Sequence, residues 1–369
     1  MNTISKLIIV QHQYASTTPK TQRMLAAAKE YVKLGVNVVF VVSTDDAYFD
    51  RIDGVRFIKI EENRSNILNC YKNFISAINR EYDSMSAILF YEVPIYSFLF
   101  KKSKYRVFAE VTEIPFYGNK LSFAQKIILR IRLRAARHFS GLFVISKALK
   151  EYYSAQQITN IEVINMFVDS SRFNVPKTNT SEKYIAYCGR ISYQKDGVND
   201  LIQAFKNVHD AHPEYRLKLI GAFENDQVKH GLMNLVNTLN IADYIDFTGL
   251  VNPEEMPIYL KNAEILALAR PNNIQAQYGF PTKLGEYLAT GNPVVVTSVG
   301  EIPLYLYDGI NAFLGAPNNP LSIAEKIDFI LDNPEYASKV ACEGAKLVHT
   351  VFSSEVQINK AFNFMNSIH

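Results

Sequence analysis

Short apolar runs alternate with amphipathic helical patterns from one end of the chain to the other. Leu7–Val10 has the continuous aliphatic character of a buried strand, and the residues after it predict a loop and then a helix. Thr18 is placed to cap that helix, Pro19 suits its first turn, and Gly35 follows its end. Within it Met24, Leu25, Ala28, Tyr31 and Val32 recur at helical spacing. Val36–Val42 is nearly all apolar, as expected of a strand whose sheet is covered by helices on both faces. Further strands are predicted at Val55–Ile60, Ala87–Tyr91, Tyr105–Val111, Leu142–Ile145 and Glu162–Ile164. A polar stretch, residues 170–182, then interrupts the pattern and is read as a linker. Beyond it strands are predicted at Tyr184–Cys188, Arg216–Ile220, Ile245–Phe247, Ile265–Leu268 and Val294–Thr297. Two successive βα arrays predict an α/β protein with two doubly wound parallel sheets. Ligands of such sheets bind at the carboxyl ends of the strands, so a shared cleft is expected.

Composition sharpens this picture. At 369 residues the chain is too long for one ordinary core, and its 48% hydrophobic and 20% charged content is that of a folded protein. Cys70, Cys188 and Cys342 lie far apart with no CxxC pair, which favours buried thiols in a reducing compartment over disulfides or a metal site. The apolar run Leu7–Val10 is too short for a signal peptide, and the longest one, from Met85 to Phe100, is broken by Glu92 and Pro94. A cytoplasmic protein is expected. Charge is uneven: residues 1–170 hold 23 Lys and Arg against 15 Asp and Glu, whereas the remainder holds 16 against 21. That asymmetry predicts that the first half faces something anionic.

The chemistry is concentrated after the linker. In the run from Tyr278 to Ala289, Gly279 permits close backbone approach and Pro281 suits the start of a helix. The amides of Thr282, Lys283 and Leu284, with the Lys283 charge, would make an anion site there. Glu286 follows Lys283 by three residues and shares its helix face, where a carboxylate can accept two hydrogen bonds from a ribose diol. Upstream, Gly189-Arg190 ends a strand and Lys195-Asp196-Gly197 closes the following loop. Arg190 and Lys195 supply two cations that can neutralise a departing nucleoside diphosphate. That role often falls to a metal, and the chain has no Asp-x-Asp pair to hold one. Each signal alone is common; their order within one βα array gives them weight.

Together these segments resemble the retaining family 4 glycosyltransferases of the GT-B fold. The match runs through Gly189-Arg190, Lys195-Asp196-Gly197, Leu219-Ile220-Gly221, Phe247-Thr248-Gly249-Leu250-Val251, Gly279-Phe280-Pro281-Thr282-Lys283-Leu284 and Glu286-Tyr287-Leu288-Ala289. It continues through Gly291-Asn292-Pro293-Val294-Val295, Gly300-Glu301-Ile302 and the run from Asp308 to Leu314. The resemblance covers about residues 160–350 well and the first half loosely. It implies two Rossmann-like domains facing a cleft: an acceptor-side domain of residues 1–169 plus 352–369, and a nucleotide-sugar domain of residues 183–351. It also implies that Arg190 and Lys195 hold the donor diphosphate, that Glu286 binds the ribose, and that the backbone near Gly189 and Gly221 lines the site. Residues Tyr278 to Leu284 would contact phosphate and donor sugar, and Leu250 and Val251 would face the nucleobase. The reaction implied is a metal-independent transfer that retains anomeric configuration, in which the leaving phosphate helps to deprotonate the acceptor. No cofactor is expected beyond the nucleotide-sugar co-substrate, a UDP-sugar or GDP-mannose, and the acceptor would be a glycan or a lipid-linked molecule of surface polysaccharide or glycolipid synthesis.

Two departures qualify the likeness. Tyr278 stands where the family often has a Glu, eight residues before the ribose-binding one, and Thr112 stands where it often has a His. Glu110 and Glu113 are the remaining candidates to orient the sugar or the acceptor hydroxyl, or to act as a base. The double-glycine loop of many relatives is replaced by residues 11–18. A catalytically degenerate relative that binds a nucleotide sugar or a partner without turnover is the alternative reading, and a GT-B epimerase a more distant one. The basic clusters from Lys101 to Arg106 and from Lys126 to Arg134 predict contact with anionic lipid headgroups, peripherally at the inner face of a membrane, or with a lipid-pyrophosphate acceptor. No nucleic-acid recognition motif accompanies them.

Overall fold

The computed structural model describes residues 3–15, 18–44, 52–61, 67–115, 121–178 and 182–368. The chain divides into two compact units, residues 1–165 with 354–369 and residues 166–353.

The first unit holds a seven-stranded parallel sheet of β1 (Lys6–Gln11), β2 (Asn37–Ser43), β3 (Val55–Ile60), β4 (Ser86–Tyr91), β5 (Val107–Val111), β6 (Gly141–Val144) and β7 (Ile161–Val163). Their order is β3-β2-β1-β4-β5-β6-β7, so the sheet winds outward in both directions from the β1/β4 boundary. β1, β4 and β5 are buried almost throughout, which is why their sequences are continuous apolar runs and not alternations. Helix Pro19–Lys33 starts where its capping chemistry predicts: the Thr18 side chain accepts from the Thr21 amide, and Pro19 occupies the first turn. The last helix, Ser354–Ser367, packs against helix Pro19–Lys33. Gln357 Oε1 accepts from the Asn165 amide at 2.9 Å, Asn366 Oδ1 accepts from the Ile4 amide at 2.9 Å, and Phe364 lies edge-on to Phe143. The C-terminal helix is therefore part of the first core.

The second unit holds β8 (Lys183–Cys188), β9 (Tyr215–Ile220), β10 (Ile245–Gly249), β11 (Ile265–Leu268), β12 (Val294–Thr297) and β13 (Phe313–Gly315), all parallel, in the order β10-β9-β8-β11-β12-β13. β13, three residues long and ending on a glycine, is absent from the sequence reading. The stretch read as a linker lies within this unit. Its first residues form the 3₁₀ turn Ser170–Phe173, and the Thr178 amide donates to Asn262 Oδ1 at 2.8 Å.

Candidate active site

β8 is the point at which the second sheet reverses its winding, since its neighbours β9 and β11 lead to opposite edges. The carboxyl ends of β8 and β11 therefore border a crevice, the usual ligand position in such a sheet. β8 delivers Gly189 and Arg190 to it, and Arg270 follows the end of β11. Gly197 closes the loop between them with φ +62°, and a Cβ there would lie 2.0 Å from the Ala269 carbonyl oxygen. Only glycine meets both demands.

Around Gly189 the buried Tyr187 and Asp196 converge with the half-buried Lys283. Lys283 Nζ donates to Asp196 Oδ2 at 2.5 Å and to the Tyr187 hydroxyl at 2.9 Å, and it sits 4.4 Å from the Tyr187 ring centre. Tyr187 Oη in turn donates toward Asp196 Oδ2 at 2.7 Å and the Arg190 carbonyl at 2.8 Å. Burial alone would raise the Asp196 carboxyl, but Lys283, Arg270 and the hydrogen bonds from Lys283 and Tyr187 hold it below the ordinary carboxylate range. The lysine chain crosses directly over the glycine: a Cβ on Gly189 would lie 2.1 Å from Lys283 Nζ.

The helix expected from Pro281 begins two residues later, at Lys283, and runs to Thr290. The Leu284 amide already donates to the Pro281 carbonyl at 3.1 Å, so it is not one of the open donors. The Thr282 and Lys283 amides have no hydrogen-bond partner among the described residues. They are the unpaired first donors of a helix, next to an ammonium group, which is a favourable place for a phosphate. Gly279, Phe280 and Pro281 are buried ahead of them, with Phe280 locked edge-on to Tyr305 and tilted against Phe352, so this backbone is held rigidly. Tyr278 is half-buried at the end of the short helix Ile274–Tyr278, and Leu284 is fully buried.

Glu286, one turn on, pairs with Arg172 Nη1 at 3.2 Å, while Arg172 Nη2 donates to the Pro253 carbonyl at 3.4 Å. Burial raises the Glu286 carboxyl despite Arg172 and Lys283 pulling the other way. Gly221 meets the Gly189 carbonyl: its Cβ would stand 2.0 Å from that oxygen. Arg190 and Lys195 are exposed, and Arg190 Nη2 donates to the Glu224 carbonyl at 3.3 Å. Leu250 is exposed and Val251 half-buried just beyond the end of β10. Arg172, Tyr187, Arg270 and the anchoring role of Asp196 escaped the sequence reading. Tyr187 is hidden inside an apolar strand and Arg172 inside a stretch read as linker.

Glu110 and Glu113 belong to the first unit. Glu110 is buried in β5 with its carboxylate 2.5 Å from Arg23 Nε, and the two remaining Arg23 nitrogens donate to the Asn165 and Ile164 carbonyls at 3.1 Å. Glu113 is exposed and lines a cavity of about 210 Å³ with Glu92, Thr112, Arg132, Tyr153 and apolar neighbours. Thr112 Oγ1 is hydrogen-bonded to the Tyr91 hydroxyl at 3.1 Å. Of the loop 11–18, residues 16 and 17 lie outside those described.

Residues 169–347 match the family described as glycosyl transferases group 1. An uncharacterized glycosyltransferase of Methanocaldococcus jannaschii is 28% identical over 172 residues, 47% of this chain and 42% of that protein. A D-inositol 3-phosphate glycosyltransferase of Streptomyces avermitilis is 27% identical over 166 residues, 43% of this chain and 34% of that one. The matches thus span less than half the length of these curated relatives. Among solved structures, Anabaena HepE in complex with UDP-glucose superposes with a TM-score of 0.76 at 17% identity, covering 98% of this chain and 99% of that one. The two parallel-sheet units are thus those of the GT-B fold.

Proposed function

We propose, from the match of residues 169–347 to the glycosyl transferases group 1 family, that the chain moves a sugar from a nucleotide-sugar donor to a hydroxyl acceptor. The observation that carries the proposal is the seat around Gly189. There two open amides, at Thr282 and Lys283, adjoin the Lys283 ammonium, at the switch point of the sheet. A nucleoside diphosphate placed there puts its phosphates on these donors and its ribose diol within the reach of Glu286. Arg190 and Lys195 neutralise the charge that builds on the diphosphate as the glycosidic bond breaks, so no divalent metal is needed. Transfer retains configuration: the departing phosphate oxygen takes the acceptor proton as the acceptor oxygen bonds to the same face of the sugar, and no protein nucleophile takes part. The structure of Anabaena HepE with UDP-glucose favours a UDP-sugar as donor over GDP-mannose. The acceptor is a glycan or lipid-linked molecule of a surface polysaccharide or glycolipid.

Calorimetric titration of the full chain without divalent metal against UDP, GDP, UDP-glucose and GDP-mannose tests the reading. Binding to one nucleotide series, lost in Glu286→Ala, supports it, and release of nucleoside diphosphate on adding acceptor extracts completes it. Absence of binding to every nucleotide overturns it.

A further inference from the structure

Helix Phe123–Ala136 of the first unit presents two unlike faces. Leu129, Arg132, Leu133 and Ala136 line the 210 Å³ cavity that also holds Glu92 and Glu113. On the opposite side Phe123, Lys126, Ile127, Arg130 and Arg134, at helical spacing, are all exposed. Phe123 is 79% exposed. The 3₁₀ turn Ile95–Leu99 packs against this helix and leaves Phe98 and Leu99 exposed, followed by exposed Lys101, Lys102 and Lys104. The Lys102 amide donates to the His138 carbonyl at 2.8 Å, which ties the basic loop to the far end of the helix. The two basic clusters, separate in sequence, therefore share one surface with four exposed apolar side chains. Neither residues 93–109 nor residues 114–150 contain Asp or Glu, while they hold four and eight Lys or Arg.

We propose that this surface docks the first unit on an anionic lipid bilayer, with Phe98, Leu99, Phe123 and Ile127 entering the headgroup–acyl boundary and the cations meeting phosphate headgroups. Cations alone would equally suit any polyanion; the exposed apolar side chains among them are what a bilayer takes up and a phosphate backbone does not. Docking sets the cavity behind the helix beside the membrane. An acceptor carried on a lipid would then reach it without leaving the bilayer, a consequence that rests on the transferase reading above, whereas the docking itself does not.

The chain contains no Trp, so Phe123→Trp reports on this surface alone. Its emission should shift to the blue, and resist aqueous quenchers, on adding phosphatidylcholine vesicles containing roughly a third phosphatidylglycerol, and change little with pure phosphatidylcholine. Leu321→Trp, an exposed site on the second unit, should stay unshifted with both. Replacing Lys126, Arg130 and Arg134 together by Gln should lower vesicle partitioning roughly a hundredfold, because each basic residue near an anionic surface contributes about fivefold. A Phe123→Trp protein whose emission is unchanged by the anionic vesicles, or that responds to a single-stranded oligonucleotide and not to vesicles, overturns the proposal. Nucleotide titration of the triple Gln variant separates the two readings. Vesicle binding lost with nucleotide binding retained supports docking, and vesicle binding by the native chain in the absence of any nucleotide binding sinks the transferase reading alone.

Discussion

Each unit buries an ion pair beside its parallel sheet, and the two pairs are built for opposite ends. Arg23 and Glu110 are almost completely enclosed, and every guanidinium nitrogen of Arg23 is taken, one by the carboxylate and two by the backbone carbonyls of 164 and 165, where the chain leaves the first unit. Lys283 and Asp196 are equally close, yet Lys283 keeps a side-chain exposure of 12%, and its third proton has no partner among the described residues. A buried pair in which every nitrogen of the cation is engaged is a clasp. A pair with one open donor on the cation, beside two open helix amides, is a seat for an anion. On the proposed function, the same two charges serve chain connectivity in one unit and ligand chemistry in the other, according to what fills their remaining hydrogen-bond positions.

The sharpest way to break this comparison is to cut the clasp. Glu110→Ala leaves the Arg23 cation buried without its counter-charge, which costs about 3–5 kcal/mol. The urea midpoint should fall accordingly, with nucleotide affinity unchanged in the protein that remains folded. If the midpoint holds and turnover alone is lost, Glu110 is a reacting group and the clasp is misassigned.

The seat is tested through affinity. Glu286→Ala and Arg190→Ala should each weaken nucleotide binding by about 1.5–3 kcal/mol, the range for hydrogen bonds to charged groups, read by calorimetry. Acidity sharpens the first of these. The Glu286 carboxyl is raised by burial, so it takes up a proton at a higher pH than an ordinary glutamate. Once protonated it accepts poorly from a ribose diol, and affinity should decline as pH falls through that raised value. In Glu286→Gln the decline should be absent; a decline of the same size in both proteins places the titrating group elsewhere.

Much of this was legible before any coordinates. Ile265–Leu268 and Val294–Thr297 have the predicted bounds, because a buried parallel strand is a plain apolar run between polar turns, and the partly exposed edge strand Val55–Ile60 has its predicted bounds too. Gly189, Lys283 and Glu286 stood out because glycines and charges at the ends of such runs carry chemical meaning. What stayed hidden was partnership. Glu110 meets Arg23 across 87 residues, and Asp196 meets Lys283 across the same separation, so neither pair leaves a local trace. A Tyr inside an apolar strand reads as packing, and the Tyr187 hydroxyl becomes meaningful only once Asp196 is folded against it.

That hydroxyl gives the smallest test. Tyr187→Phe removes one donor from Asp196 and one acceptor from Lys283, while the two charged groups keep each other. The expected loss is about 1 kcal/mol of unfolding free energy at neutral pH. Its pH dependence has a definite sign. The Asp196 carboxyl is depressed in the folded chain, partly by the Tyr187 hydrogen bond, so it contributes stability above the unfolded carboxylate value and loses it as pH falls through the folded one. Without the hydroxyl that folded value rises toward the ordinary one. The acid limb of the stability curve should therefore begin near the unfolded carboxylate value in both proteins but level off at higher pH, after a smaller total loss, in Tyr187→Phe, and the two curves should converge once Asp196 is protonated in both. Parallel curves with a constant offset would mean that Tyr187 contributes only packing, and that Lys283 and Arg270 hold the charge of Asp196 without it.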